Sequence, residues 1–225
     1  TYKGVNVDED ANRAVADFVR DKIREIVKDQ DVAETLCPPI DLPIGAKRPP
    51  IDTDYYETFN RDNVTLVDVK KSPIQRVCRD GLDTADAHYP LDALVFATGF
   101  DAMTGTLLAI DIQGPGGHSL KEAWSDGPST YLGLMVAGLP NLFMVNGPGS
   151  PSVKANMIVA LEQHIDWLMT LLDHLRATQL NRIEADAQSQ EDWVEHAREV
   201  AEATLMPRAD SWYVGANIPG KKRVY

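Results

Sequence analysis

A pair of basic residues, Lys47 and Arg48, is the first feature of the sequence whose type and spacing could do chemistry. The pair lies within residues 37–53, a segment that contains five prolines. Because proline fixes its backbone dihedral φ, prolines on both sides would hold this loop in one shape. A rigid loop suits a cation that must meet an anion. On these residues alone, a pair of solvated surface charges is the favoured interpretation.

A second feature is the turn Asn146–Ser152, which reads NGPGSPS and follows an apolar run at residues 142–145. A long helix is predicted to begin at about residue 153, and a helix N-terminus presents unpaired N–H groups that favour negative charge. An ordinary strand-to-helix connection fits the same residues. Ser150 and Ser152 are only faintly similar to a nucleophile elbow, because the GxSxG pattern is absent. The GxGxxG pattern of dinucleotide-binding turns is absent as well.

The other titratable residues predict no metal centre. The five histidines do not cluster, and the two cysteines, Cys37 and Cys78, show neither metal-ligand spacing nor a disulfide framework. We therefore expect reduced thiols and a cytoplasmic location. The net charge of −12 argues against a nucleic-acid partner. No apolar stretch approaches the roughly 20 residues of a membrane helix, so no membrane association is expected.

The tail at residues 211–222 is aromatic and glycine-rich, which is unusual for a terminus. Trp212 and Tyr213 could line a pocket, or they could anchor the tail on the body of the protein. Composition leaves these two interpretations open.

Hydrophobic periodicity predicts an α/β chain that positions these residues. With 44% hydrophobic and 25% charged residues, the chain is expected to be globular. The run LDALVFATGFD at residues 91–101 predicts a strand buried on both faces, followed by a sharp glycine turn. Further helices are predicted at 9–29, 31–36, 153–175 and 188–205, with a helical piece starting at 121 and a short helix or turn near 55–60, and further strands at 64–69, 73–78, 107–112 and 142–145.

Several motifs together resemble those of one enzyme family. ATGFD at residues 97–101 is similar to the motif of flavin-dependent monooxygenases that have two dinucleotide-binding domains. Five other stretches resemble Baeyer–Villiger monooxygenases in the family's order, with members that act on aryl, steroid or large-ring ketones as the nearest. These are GAKRPP at 45–50, DYYETFNRDNV at 54–64, YLGLMVAGLPNLFMVNGPGSPS at 131–152, EQHIDW at 162–167 and SWYVGANIPGKK at 211–222.

The resemblance implies a partial two-dinucleotide-binding-domain flavoprotein fold. Residues 1–60 would be the C-terminal part of the NADP-binding domain with a helical insert. Residues 61–180 would be the returning half of the FAD-binding domain, and residues 181–225 a C-terminal helix with a loop that contacts substrate and NADP. Both GxGxxG motifs of the family are absent, as is its FxGxxxHxxxW motif. The resemblance therefore implies a C-terminal portion that needs the N-terminal portion of the same enzyme.

The chemistry implied by the resemblance uses FAD and NADPH. NADPH reduces the flavin, O₂ adds to it, and the resulting flavin peroxide converts a ketone into an ester or lactone. Arg48 matches the active-site arginine that stabilises the developing negative charge. Lys47 matches the lysine that favours the 2′-phosphate of NADPH. The further positions matched to cofactor are Gly149, Ser150, Pro151, Ser152, Met157, Trp212 and Asn217, and those matched to substrate are Val153, Met157 and Trp212.

Two other functions remain open from the sequence. One is a related flavin monooxygenase that oxidises nitrogen or sulfur. The other is a non-catalytic module that folds and binds a partner.

Overall fold

The computed structural model describes residues 4–150, 156–216, 219–220 and 223–224. The chain divides into two compact units. The first comprises Thr1–Ile44 and Arg48–Gly99, and the second comprises Gly45–Lys47 and Phe100–Tyr225.

Three helices form the helical part of the first unit: α1 at Glu9–Ile26, α2 at Gln30–Leu36 and α3 at Tyr55–Thr58. Helix α1 begins where the Asp8 side chain accepts a hydrogen bond from the backbone N–H of Ala11 at 2.7 Å. Asp29 caps α2 in the same way. The apolar face of α1 packs on α2 around a fully buried core of Ile23, Val27 and Ala33.

Two buried polar side chains of α1 hold the proline-rich loop that leads to Lys47 and Arg48. Asn12 is 5% exposed; its amide donates to the carbonyl of Ile44 at 3.0 Å and accepts from the Ile44 N–H at 3.0 Å. Arg20, also 5% exposed, donates to the carbonyls of Pro38 and Pro39. These bonds satisfy backbone groups of a loop that has no secondary structure of its own, so the loop is ordered.

We expect Asn12→Ala to destabilise the first unit by about 1–3 kcal/mol, because it leaves partly buried backbone groups of Ile44 without their partner. Urea unfolding of the chain measures this change. Asn63→Ala, at an exposed asparagine, is the matched control and should change the free energy of unfolding by less than about 0.5 kcal/mol. Equal effects of the two substitutions would contradict the bracing role of Asn12.

A three-stranded antiparallel sheet completes the first unit. Its strands are β1 at Ile74–Cys78, β2 at Gly81–Thr84 and β3 at His88–Pro90, in the order β1-β2-β3. Gly81 sits where the strands approach closely: a Cβ there would lie 2.1 Å from the carbonyl oxygen of Tyr89. The register places Arg76 opposite Asp83, and Asp83 opposite His88.

The second unit contains four helices: α4 at Gly105–Leu108, α5 at Leu120–Ala123, α6 at Met157–Ala177 and α7 at Ala187–Glu202. Ser119 and Glu122 form a capping box at the start of α5. The core gathers around the buried Trp124, together with Leu120, Val136, Leu139 and Met144. A second buried cluster joins Leu134, Met135 and Ala185.

The helix predictions are confirmed within a few residues, and so is the helical piece at residue 121, but three strand predictions are wrong. Residues 64–69 and 142–145 are irregular, and the region 107–112 forms no strand: its first two residues are the end of helix α4. The strand that pairs with β1 is β2, which lies outside every predicted strand. Alternating apolar and polar residues indicate a segment that suits a strand, but the strand forms only where a neighbouring segment pairs with it.

The prediction of a doubly buried strand at residues 91–97 is also wrong for this structure. These residues belong to no strand, and the side chains of Val95 and Phe96 are 86% and 75% exposed. Within the described part of the chain, residues 92–99 form no backbone hydrogen bond. A central strand requires a ladder on both sides, and no described strand lies beside this one to supply it. The predicted positive φ of the glycine turn is present, at +87° in Gly99.

None of the described helices has the length and apolar character that a bilayer crossing would require.

Candidate functional site

The turn at residues 147–150 is held against residues 130–133 by a set of buried hydrogen bonds. Thr130, 2% exposed, donates its hydroxyl to the carbonyl of Pro148 at 2.7 Å and accepts from the Gly133 N–H at 3.1 Å. The Gly147 N–H donates in turn to the carbonyl of Gly133 at 3.1 Å. One threonine hydroxyl therefore fixes the spacing of both segments, which we call the Thr130 cradle.

Gly133 is the closest point of this cradle. Its φ is +69°, and a Cβ at this position would lie 2.5 Å from the Cβ of Ser150 and 2.7 Å from its backbone nitrogen. Both the conformation and the space therefore require glycine. On another side, the indole N–H of Trp193 in α7 donates to the carbonyl of Gly149 at 3.4 Å. Gly149 and Ser150 thus occupy a fixed backbone position.

Asn146 connects this turn to the start of α6. Its φ of +54° is in the left-handed region, which asparagine tolerates better than most residues. Its side-chain amide donates to the carbonyl of Met157 at 3.3 Å, and its backbone N–H donates to Nδ1 of His164 at 3.1 Å. Asn156 caps the helix through the Ile158 N–H. Met157, 44% exposed, therefore stands at a fixed place in the first turn of α6.

Two polar atoms of this region are buried without a hydrogen-bond partner among the described residues: Oδ1 of Asn146 and Oγ of Ser150. Unsatisfied buried polar atoms are rare in native proteins. Together with the first turn of a 21-residue helix, they form a polar setting that fits the edge of a hydrogen-bonding, electron-rich ring system such as a flavin.

Lys47 and Arg48 are both exposed, and neither forms an ion pair or a hydrogen bond with any residue that the structure describes. The boundary between the two compact units passes between them, since Lys47 belongs to the second unit and Arg48 to the first. The adjacent Ala46 is 2% exposed. Both cations therefore have their donors available.

The two aromatic residues of the tail differ in burial, so each fits one of the two interpretations that the sequence left open. Tyr213 is 8% exposed and anchors the tail, whereas Trp212 is 41% exposed and packs edge-on against Tyr213, with ring centroids 4.6 Å apart. The buried Ser211 caps this turn through the N–H of Tyr213. Trp212 is therefore held in place with much of its ring free for contact.

Within the second unit, the structure fixes Gly149 and Ser150 through the Thr130 cradle and Trp193, and it ties Met157 to Asn146. Pro151, Ser152, Val153 and Asn217, also predicted from the sequence, lie outside the described residues. Sequence reasoning missed four residues that support the site: Thr130, Gly133, His164 and Trp193. Of these, Gly133 and His164 had a visible signal: Gly133 is a glycine within an apolar segment, and His164 falls in the EQHIDW stretch at residues 162–167.

Comparison with known proteins identifies relatives along almost the whole chain. No protein-family model matches it. Cyclopentanone 1,2-monooxygenase of Comamonas sp. (strain NCIMB 9872) is 46% identical over 216 residues, which is 96% of this chain and 39% of that protein. The phenazine N-monooxygenase PhzNO1 of Lysobacter antibioticus is 40% identical over 222 residues, or 98% of this chain and 40% of that protein. The chain therefore spans about two fifths of the length of the relatives it matches.

Solved structures give the same result. The OTEMO complex with FAD and NADP superimposes with a TM-score of 0.93 at 40% identity, covering 99% of this chain and 41% of that one. The oxidised steroid monooxygenase bound to NADP gives a TM-score of 0.89 at 49% identity, covering 96% and 41%. These matches confirm the resemblance to Baeyer–Villiger monooxygenases and the prediction of a partial α/β flavoprotein fold.

Proposed function

We propose that the chain is part of a Baeyer–Villiger monooxygenase and corresponds to its C-terminal portion. The whole enzyme would convert a ketone into an ester or lactone with O₂ and NADPH. One oxygen atom is inserted into a C–C bond beside the carbonyl, and the other leaves as water as NADPH is oxidised. The observation that carries the proposal is the match of almost the entire chain to flavoprotein structures at TM-scores of 0.89–0.93.

The proposed division of labour follows the motif order. Residues 1–60 would complete an NADP-binding domain, residues 61–180 the returning half of an FAD-binding domain, and residues 181–225 a helix and contact loop. FAD reduced by NADPH would supply the activated oxygen, because no side chain of this chain can activate O₂. The protein itself would bind and orient the substrate and cofactors, exclude water and stabilise charge.

Arg48 is the residue we propose to stabilise the negative charge that develops as oxygen attacks the carbonyl. A guanidinium offers planar donors in a fixed fork that suits an oxyanion. The absence of an ion-pair partner among described residues supports this role, since a paired guanidinium would have to break its contact first. Lys47 would meet the 2′-phosphate of NADPH, and Trp212 would close on bound NADP and substrate.

The Thr130 cradle is proposed to set the place of Gly149 and Ser150 beside the flavin, with Pro151 and Ser152 continuing the same loop. Ser150 Oγ has no protein partner in the described structure, so it is available to the cofactor. Met157 and Val153 would border the ketone. Asn217 would contact NADP from the tail. In this scheme Thr130 and Gly133 are positioning residues, because they act through the backbone of residues 147–150.

The proposal is tested on the full-length parent enzyme with a ketone and a thioether offered separately. Ester or lactone formation from the ketone, with one NADPH consumed per product, is the expected result. A second candidate, oxidation of nitrogen or sulfur, is favoured by the 40% identity to an N-oxidising relative. Sulfoxide formation without any ester would establish that candidate and reject ketone oxidation.

The isolated 225-residue chain tests whether this portion holds flavin without the rest of the enzyme. We expect no tightly bound flavin in it, because it spans about two fifths of the flavoproteins it matches. An absorption spectrum of the purified chain shows this directly. A yellow, reducible preparation would contradict the expectation. We further propose a cytoplasmic location, which the two unpaired cysteines support.

A further inference from the structure

The three-stranded sheet carries a cluster of three metal-ligand side chains that the proposed oxidation does not use. These are Cys78 at the end of β1, Asp83 in β2 and His88 at the start of β3, and their ligand atoms all lie within 4.8 Å of one another. The thiol of Cys78 is 3.2 Å from Oδ2 of Asp83, and Nδ1 of His88 is 2.6 Å from Oδ1. The cluster lies entirely within the first compact unit.

The register of the strands explains why these residues meet. Asp83 is directly opposite His88, and Arg76 is directly opposite Asp83, so the three share one face of the sheet. Cys78 lies two residues beyond Arg76 and points to the same face. The three ligand residues are spaced five positions apart along the chain, and a tight antiparallel meander brings residues with this spacing together. Sequence patterns based on short Cys and His spacings do not include it.

The cluster already holds a cation. The guanidinium of Arg76 donates from Nε to Oδ2 of Asp83 at 2.6 Å. The Arg76 side chain is 74% exposed, and ion pairs of exposed side chains contribute little to stability. Arg76 can therefore leave this position at little cost.

We propose that Cys78, Asp83 and His88 form a Zn²⁺ site in which the metal replaces the guanidinium of Arg76. Thiolate, carboxylate and imidazole are the ligand types that Zn²⁺ prefers, and three protein ligands leave the fourth tetrahedral position to water. Ligands on one zinc ion lie roughly 3–4 Å apart, given bond lengths of about 2.0–2.3 Å, so small side-chain rotations bring these atoms into range. The three ligand residues lie on adjacent strands, which limits their conformational freedom before the metal binds.

The charge balance favours zinc over a hard cation. A thiolate and a carboxylate together neutralise the dication, and the sulfur excludes Mg²⁺ and Ca²⁺ as good occupants. A thiol must lose its proton to bind Zn²⁺, so binding should release a proton and weaken as the pH falls.

Cobalt titration of the chain tests the proposal, because Co²⁺ bound to a thiolate gives a charge-transfer band in the near ultraviolet. We expect one equivalent of Co²⁺ to produce this band and Zn²⁺ to abolish it. Cys78→Ser should remove the band, and His88→Gln should weaken binding by about 10-fold or more. Arg76→Gln should strengthen binding severalfold, which a nonspecific surface site would not show.

The other cysteine supplies the matched control. Cys37 lies away from the sheet, beside α2 in the helical part of the same unit, so Cys37→Ser should leave the band and the affinity unchanged. Circular dichroism of each variant checks that it is folded. A folded chain that gives no band at saturating Co²⁺ would overturn the proposal, as would a band that depends on Cys37. The outcome is independent of flavin binding and ketone oxidation.

Discussion

Arg48→Ala in the full-length enzyme is expected to reduce ketone oxidation by about 10²–10³-fold, the cost of removing one preorganised donor from a developing oxyanion. Arg48 is exposed and unpaired among described residues, so its loss should leave the fold intact. Arg48→Lys should recover little, because a single ammonium cannot reproduce the planar donors of a guanidinium. Ester formation per bound flavin, measured by product analysis, gives the result.

The matched control for this prediction is Arg61→Ala, at an exposed arginine of the same unit. It should retain the parent rate. If Arg48→Ala also oxidises the ketone at the parent rate, the role assigned to Arg48 is wrong, although the flavoprotein fold would stand. A loss of flavin together with activity would instead identify Arg48 as a structural residue.

Gly133→Ala is expected to be the most damaging small substitution in the second unit. The new methyl group would meet Ser150 at 2.5 Å while the backbone stays at a φ of +69°. The left-handed conformation alone costs about 1–2 kcal/mol, and overpacking adds about 1–3 kcal/mol, so we expect a total of roughly 2–5 kcal/mol. Urea unfolding of the chain measures this loss.

Gly116→Ala separates the two contributions. Gly116 has a φ of +74°, but a Cβ there would meet nothing within 4 Å. It should therefore lose only the conformational part, about 1–2 kcal/mol. Equal losses at the two glycines would show that Gly133 does not press against Ser150. In the full-length enzyme, Gly133→Ala should also increase the NADPH consumed per ester formed, because the loop that we propose to lie beside the flavin would move.

Substitutions at Thr130 test the same cradle without introducing a steric clash. Thr130→Val preserves shape but removes both hydrogen bonds of the hydroxyl, whereas Thr130→Ser keeps them. We expect the valine variant to uncouple NADPH oxidation from ester formation and the serine variant to restore the coupling. A variant that is merely less stable would lose active enzyme but keep the parent ratio of NADPH to ester.

The sequence by itself determined the helices and the family resemblance. Helices α1, α6 and α7 follow from apolar residues at a spacing of three and four, because a helix satisfies its backbone within its own segment. The resemblance rests on ordered motifs such as GAKRPP and ATGFD, which do not depend on packing. Lys47, Arg48 and Trp212 were found in this way, and the structure places all three with donor or ring surface exposed.

Only the tertiary structure decided where strands form and which side chains meet. LDALVFATGFD has the composition of a buried strand, yet it is exposed, because a ladder needs neighbours that no local pattern specifies. The Thr130 cradle joins residues 18 positions apart, and the Cys78–Asp83–His88 cluster arises from strand register. Such contacts depend on distances across the fold, which are set by the packing of the whole unit and not by the spacing of residues along the chain.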